Sequence, residues 1–277
     1  MSDRNPSITA LGTAYMRAAH QLLDASPHIL EDPPAVTMLG PAAAQRITVA
    51  AESFQTPERR ALRAHVVLRS RFAEDRLAAS LNRGITQYVI LGAGFDTFAL
   101  RQPAWAHSLR IFEVDHEATQ RLKRSIIAAA GLSVPENARF AAVDFEHELL
   151  CDGLRRHLVS PDEPTFFSWL GVTMYLNEDA IDAVLRSVAA FPEGSEIVLT
   201  FASPPGDSPS PIELSAARVG EPWISYFEPE MIDAKLRRSG FSTVAFLSPA
   251  EAEERYFRPR PQDLRVPART NIVCAVR

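Results

Sequence analysis

The chain has 277 residues, enough for one large α/β domain with additions, and its 46% hydrophobic and 23% charged content excludes an intrinsically disordered protein. With 29 basic and 34 acidic residues the formal net charge is -5, which provides no global attraction for nucleic acid or an anionic membrane. Cys151 and Cys274 lack metal-ligand spacing, no stretch reaches the roughly 20 apolar residues of a membrane span, and the first residues lack an apolar signal core, so we expect a cytoplasmic protein without a metal site.

The first 82 residues read as a helical cap. Ile8, Leu11, Tyr15, Met16, Ala19, Leu22 and Leu23 recur at helical spacing, and Ser26-Pro27 ends the run, so a helix is expected over 8–26. His28 to Pro34 is expected to be a turn. Pro41 can open a short helix to about 53, and Pro57 a longer one to about 81 that carries Arg69 and Arg71. From 83 to 277 short apolar runs alternate with helical segments. Strands are expected at 88–92, 109–114, 138–143, 164–170, 195–202, 241–247 and 271–276. Helices are expected at about 96–104, 116–130, 146–158, 178–190 and 228–239. This alternation implies a doubly wound, Rossmann-like α/β sheet. The proline-rich run Ser203–Pro211 can be neither helix nor central strand and opens an insertion to about Phe227. Residues 248–270 read as a charged loop or short helix.

The chemistry starts at the first strand. Tyr88-Val-Ile-Leu91 leads into Gly92-Ala93-Gly94, so a buried strand delivers a glycine turn that lets the backbone approach a nucleotide-like ligand. The third glycine of the dinucleotide fingerprint is replaced by Thr97, which weighs against a nicotinamide oxidoreductase. The second strand ends in Asp115, placed to accept from both ribose hydroxyls of an adenosine. Glu113 lies two residues deeper and could pair with a nearby arginine such as Arg101. The third strand ends in Asp144-Phe145, an acid for an adenine amino group and a ring to pack on the base, unless Asp144 caps the next helix. Two acids at successive strand ends suit S-adenosylmethionine, which has no pyrophosphate.

Gln87–Thr97, Phe112-Glu-Val-Asp115 and Trp169-Leu-Gly-Val-Thr-Met-Tyr-Leu176 together resemble the leucine carboxyl methyltransferase-like family, and within it the bacterial small-molecule O-methyltransferases. The Arg69–Asp75 segment, Gly240-Phe241 and the terminal Asn271–Val276 strand fit as well. The resemblance implies a class I methyltransferase fold, a seven-stranded sheet with its last strand antiparallel under an N-terminal cap. It implies that Gly92, Ala93, Gly94 and Asp96 form the cofactor turn and that Asp115 is the ribose acid, followed by His116 near the adenosine. It pairs Asp144 with Phe145 at the adenine, puts Tyr175 near the methyl acceptor, and assigns Arg69 or Arg71 to the methionyl carboxylate. Protein-directed members carry a glutamate where this chain has Leu170, so that wall becomes apolar and one acidic cofactor contact is lost.

A carboxylate acceptor, already ionised at neutral pH, needs only an orienting donor such as Tyr175, whereas a phenol or alcohol would gain from a base. His20, on the cap helix, is the preferred base, with Tyr15 as a further candidate. Tyr15, Met16, Trp223, Tyr226 and Phe227 are expected to build an acceptor pocket for a natural-product-like molecule. A non-catalytic S-adenosylmethionine-binding module is the alternative, kept open by Leu170. No heptad or interface stripe indicates an oligomeric state.

Overall fold

The computed structural model describes residues 5–206 and 208–277; Asp207 of the proline-rich run and residues 1–4 lie outside the described residues. The cap comprises α1 (Ile8–Leu23), α2 (Pro33–Leu39), α3 (Pro41–Val49), α4 (Ala51–Phe54) and α5 (Pro57–Ser80). The core follows as β1 (Gln87–Leu91), β2 (Arg110–Asp115), α6 (Glu117–Ala129), β3 (Ala138–Ala142), α7 (Leu150–Arg156), β4 (Thr165–Trp169), α8 (Glu178–Ala189) and β5 (Glu196–Thr200). It closes with α9 (Pro211–Arg218), α10 (Pro229–Ser239), β6 (Thr243–Phe246), α11 (Pro249–Ala252) and β7 (Ile272–Val276). Among the described residues no helix is long and apolar enough to cross a membrane.

The seven strands lie in the order β3-β2-β1-β4-β5-β7-β6. β1 pairs in parallel with both β2 and β4, while β7 runs antiparallel to β5 and β6. Chain order reverses at β1, and its end, Leu91, stands in register with Val114 and Trp169. A crevice therefore opens beyond these three strand ends, where doubly wound sheets bind ligands.

Alternation along β1 fills two cores. Val89 and Leu91 pack with Ile181, Val184 and Leu185 of α8 and with Ile232 and Leu236 of α10. Tyr88 and Ile90 face the opposite layer, with Leu68, Phe72 and Leu77 of α5. Glu113 points into the α6 side and pairs with Lys123 at 2.5 Å, both fully buried, so the expected arginine partner is wrong. Burial holds the Glu113 carboxyl above its ordinary range, with Lys123 opposing.

Two expectations about local structure fail. The turn at His28–Pro34 ends in a helix, because Asp32 caps α2 by accepting from the Ala35 N–H and Pro33 supplies the first helical residue. The helix expected over 96–104 is two 3₁₀ turns, Phe98–Leu100 and Ala104–Ala106. Asp96 Oδ1 takes the Phe98 N–H at 2.7 Å, and Pro103 lacks the N–H that a continued helix would use.

The cap holds a second buried charge cluster. Asp24 accepts from Arg63 Nε and Nη2, both at 2.7 Å, and faces His20 Nδ1 at 2.8 Å. Removing Arg63 would leave a buried carboxylate with half its partners. We expect Arg63→Ala to lose about 3–5 kcal/mol of unfolding free energy in urea titration, with Arg63→Lys recovering only part of it.

The buried histidines set the acid limb of stability. His65 donates from Nε2 to the Thr270 carbonyl at 2.8 Å, and burial pushes its pKa down to about 4. The His20 pKa is also lowered, chiefly by burial. The unfolded chain binds protons at these rings near pH 6.5 and the folded chain does not, so stability is full above that pH and falls as pH drops toward 4. We expect the melting temperature to fall between pH 7 and pH 5, and His65→Gln to flatten that slope.

Candidate active site

The floor of the crevice is the turn after β1. Gly92 and Gly94 sit at φ +64° and +47°. At Gly92 a Cβ would lie 2.3 Å from Val172 Cγ2, and at Gly94 3.0 Å from the Ala10 methyl, so neither position has room for a side chain. Ala93 binds back to the Val114 carbonyl through its N–H at 2.9 Å.

Asp115 lies beside this turn. Its Oδ2 accepts from the Gly94 N–H at 2.5 Å, and its Oδ1 from the His116 N–H at 2.7 Å. Burial raises its pKa against these two N–H groups. The carboxylate is thus oriented by the backbone, with lone pairs left for a ligand's hydroxyls. His116 caps α6 through Nδ1, which accepts from the Ala118 N–H at 3.3 Å. Asp144 binds the Glu146 N–H and His147 Nδ1 at 3.0 and 2.9 Å, holding the turn after β3 rather than capping α7. The half-buried Phe145 packs edge-on against Trp169 at 6.4 Å between centroids.

The opposite wall is the bend after β4. Gly171, at φ +76°, donates its N–H to Thr200 Oγ1 at 2.7 Å, and Thr173 Oγ1 donates to the Thr200 carbonyl at 2.8 Å. Tyr175 follows in a 3₁₀ turn, half-buried. The insertion is seated on this bend, with the Ile224 N–H on the Met174 carbonyl at 2.8 Å and the Ser225 hydroxyl on the Leu176 carbonyl at 2.5 Å. Leu170 packs into the α5 layer.

The two candidate arginines part here. Arg71 is on the exposed side of α5, paired with Asp75 at 2.9 Å. Arg69 lays its guanidinium over Gly171, where a Cβ would meet Nη1 at 2.5 Å. Among the described residues its side chain has neither a hydrogen bond nor an ion pair, and it lies near Tyr175 and the Asp96 carboxylate. Burial and the neighbouring Arg17 pull its pKa down to about 10, which leaves it charged at neutral pH.

The cap residues proposed as bases do not face this crevice. His20 is fully buried, its Nδ1 on Asp24 and its Nε2 accepting from the Ile29 N–H at 3.1 Å, so neither nitrogen is available to an acceptor. Tyr15 packs with Leu39, Ile47 and Leu62 on the side of α1 away from the turn, and its hydroxyl accepts from Arg46 at 2.8 Å. Met16 belongs to the same cluster, and Phe227 is buried in the core beside α8 and α10. Of the expected pocket, Trp223 and Tyr226 remain half-buried on the insertion. What sequence reasoning missed is Arg17, fully inside, which donates to Asp32 at 2.9 Å and to the Phe95 carbonyl just past the turn. A lone arginine amid the alanines of α1 was the available signal.

The profile of the leucine carboxyl methyltransferase family matches residues 10–189, spanning the cap, the glycine turn, both acids and the bend at Tyr175. The chain belongs to this family. It is 35% identical over 204 residues to YktD of Bacillus subtilis, which carries a provisional name as an S-adenosyl-L-methionine-dependent methyltransferase. That match covers 71% of this chain and 67% of YktD. A Frankia alni protein with the same provisional name is 33% identical over 62% of this chain, a match spanning little more than half of that relative, 56%. Among solved structures, a methyltransferase-like protein of Thermobifida fusca superposes with a TM-score of 0.54 at 19% identity, covering 98% of this chain and 94% of that one. A DUF574 protein of Streptomyces avermitilis gives 0.54 at 16% identity, covering 94% and 95%. These two share the class I methyltransferase fold.

The family's methyl donor is S-adenosylmethionine, and the crevice has the donor set for it: an oriented acid, a turn with no room for side chains, and an arginine without a partner. The turn at Gly171 gives a direct check on Arg69. Gly171→Ala puts a methyl into the guanidinium at an unfavourable φ, and we expect a loss of about 1–3 kcal/mol in thermal or urea unfolding. A second substitution, Arg69→Ala, should recover part of that loss by clearing the space.

Proposed function

We propose that this chain is an S-adenosylmethionine-dependent O-methyltransferase acting on a small, natural-product-like molecule in the cytoplasm. The observation that carries the reading is Arg69, a half-buried cation without a partner at a crevice whose far side is Asp115. In this reading Arg69 holds the methionyl carboxylate, an anion that suits a guanidinium fork. Asp96 spends Oδ1 on the Phe98 N–H and keeps Oδ2 for the ammonium. Asp115 accepts from the ribose hydroxyls, with His116 beside it. Asp144 and Phe145 take the adenine, and the backbone of Gly92, Ala93 and Gly94 lies under the sugar. Leu170 on the α5 side and Trp169 on the opposite side, behind Phe145, make the surroundings apolar.

The bound cofactor supplies a methyl on a sulfonium, an electrophile for in-line displacement. The protein's part is positioning: the acceptor oxygen has to be held about 3–3.5 Å from that methyl, opposite the sulfur, with water excluded. Tyr175 stands on the bend near Arg69, and its hydroxyl has no hydrogen bond among the described residues, so it can orient the acceptor. His20 offers no free nitrogen to a hydroxyl acceptor, and His65 has its Nε2 on the Thr270 carbonyl. This favours a carboxylate acceptor, which is ionised at neutral pH and needs no base. Such a product is a methyl ester.

Calorimetric titration with S-adenosylhomocysteine tests the assignment. We expect Arg69→Gln to weaken binding about 100-fold, in line with the loss of a charge-assisted pair, and Arg71→Gln to change it less than about twofold. Tyr175→Phe should keep the affinity and lower turnover with any acceptor found. Equal affinities for Arg69→Gln and wild type would sink the reading.

A further inference from the structure

The crevice has a roof. Ser7, just before α1, donates its N–H to Thr119 Oγ1 at 3.3 Å, in the first turn of α6 beside Asp115. The chain then crosses the glycine turn, with Ala10 against Gly94. On the far side it meets Glu221 of the insertion. Glu221 Oε1 accepts from the Ile8 N–H at 2.6 Å, and Oε2 accepts from the Thr9 N–H at 3.1 Å and the Ser7 hydroxyl at 3.0 Å, with the Thr9 hydroxyl as a fourth donor. One carboxylate therefore gathers donors from three successive residues at the start of a helix, where free N–H groups and the dipole favour an anion. Glu221 itself stands on a fixed support, through its N–H to the Ala216 carbonyl at 3.0 Å and through Ile224 on Met174.

The rest of α1 cannot lift. Ala14, Ala18, Ala19, Arg17 and His20 are buried against the cap and the turn. Between this anchored part and the roof lies Gly12. Glycine inside a helix is about 1 kcal/mol less favourable than alanine. At Gly12 nothing lies within 4 Å of where a Cβ would sit, so no contact calls for glycine there.

We propose that residues 7–10 and Glu221 form a latch over the cofactor crevice, with Gly12 as its hinge. Breaking the Glu221 contacts lifts the first turn of α1 from Gly94 and opens the way to Asp115; remaking them closes the reaction off from water. The latch sets the rates of cofactor entry and exit rather than the affinity, because the closed, bound arrangement and the free one both keep it. This inference rests on the cofactor placement argued above.

Stopped-flow tryptophan fluorescence of the full chain with S-adenosylhomocysteine tests it. Glu221→Ala should raise association and dissociation rates together by about tenfold or more, leaving Kd within about twofold. Glu221→Gln, which keeps one carbonyl acceptor, should fall between. Gly12→Ala should act in the opposite sense and slow both rates about fivefold. Amide exchange at Ile8 and Thr9 should quicken in the first variant and slow in the last. Unchanged rates in both Glu221→Ala and Gly12→Ala would overturn the latch, as would a change in Kd with constant association rate. If Glu221→Ala does not fold, Gly12→Ala decides alone. A wild type that binds no S-adenosylhomocysteine overturns the cofactor placement, and the latch with it.

Discussion

The cap and the nucleotide turn are joined by one buried carboxylate. Asp32 is fully buried and takes Arg17 Nε at 2.9 Å, the Thr97 hydroxyl at 2.7 Å and the Ala35 N–H at 3.2 Å, with Arg101 Nε at 3.4 Å. A buried ion is tolerated only when its lone pairs are filled, and these donors come from α1, α2 and the segment after the glycine turn. Arg17 extends the tie to the Phe95 carbonyl and Arg101 to Glu74 on α5. The helical preface is thus not a separate lid resting on a finished domain. Its first helix is held by charge to the loop that forms the crevice floor, and displacing it whole would strand Asp32 and Arg17 together.

That closed network explains why Arg69 is left over. Asp32 and Glu74 are matched by Arg17 and Arg101, so no further acid in this layer is needed for balance. Arg69 adds a third cation and Asp96 a third acid, but the two influence each other without forming an ion pair. A half-buried guanidinium kept charged and unpaired is costly unless a ligand completes it. Asp115, across the turn, is the opposite case. Two backbone N–H groups already fix its orientation before any ligand arrives, which is the arrangement that lowers the ordering cost of binding.

What the sequence could show followed from physical strength. The seven strands are short apolar runs punctuated by glycine, proline and acids, and each is found within about two residues of its expected place. The acids at Asp115 and Asp144 were legible because a strand end fixes where a side chain can point. The helix at Pro33 was legible too, through Asp32 and the prolines, but the same residues also signal a turn, and only the Arg17 and Thr97 contacts decide between them. His20, Tyr15 and the choice between Arg69 and Arg71 depended on helix facing. A helix of the mixed character of α5 or α1 does not declare which side meets the sheet until its partners are placed. Glu221 carries no local pattern at all, since its donors lie more than 200 positions away in the chain.

The leucine at position 170 follows from the same charge balance. Along the α5 side of the crevice stand three cations, Arg17, Arg69 and Arg101, and three acids, Asp32, Glu74 and Asp96, in electrostatic contact with one another. Leu170 packs into this layer, while its neighbour Trp169 turns to the opposite core beside Phe145. A glutamate in place of Leu170 would add a fourth acid to this layer, one residue before the Gly171 that Arg69 covers, as an internal partner for a cation. Leucine withholds that partner, so the guanidinium stays free for a carboxylate from outside. In the proposed reading, Leu170 keeps this wall free of a further acid, and that leaves Arg69 to the methionyl carboxylate.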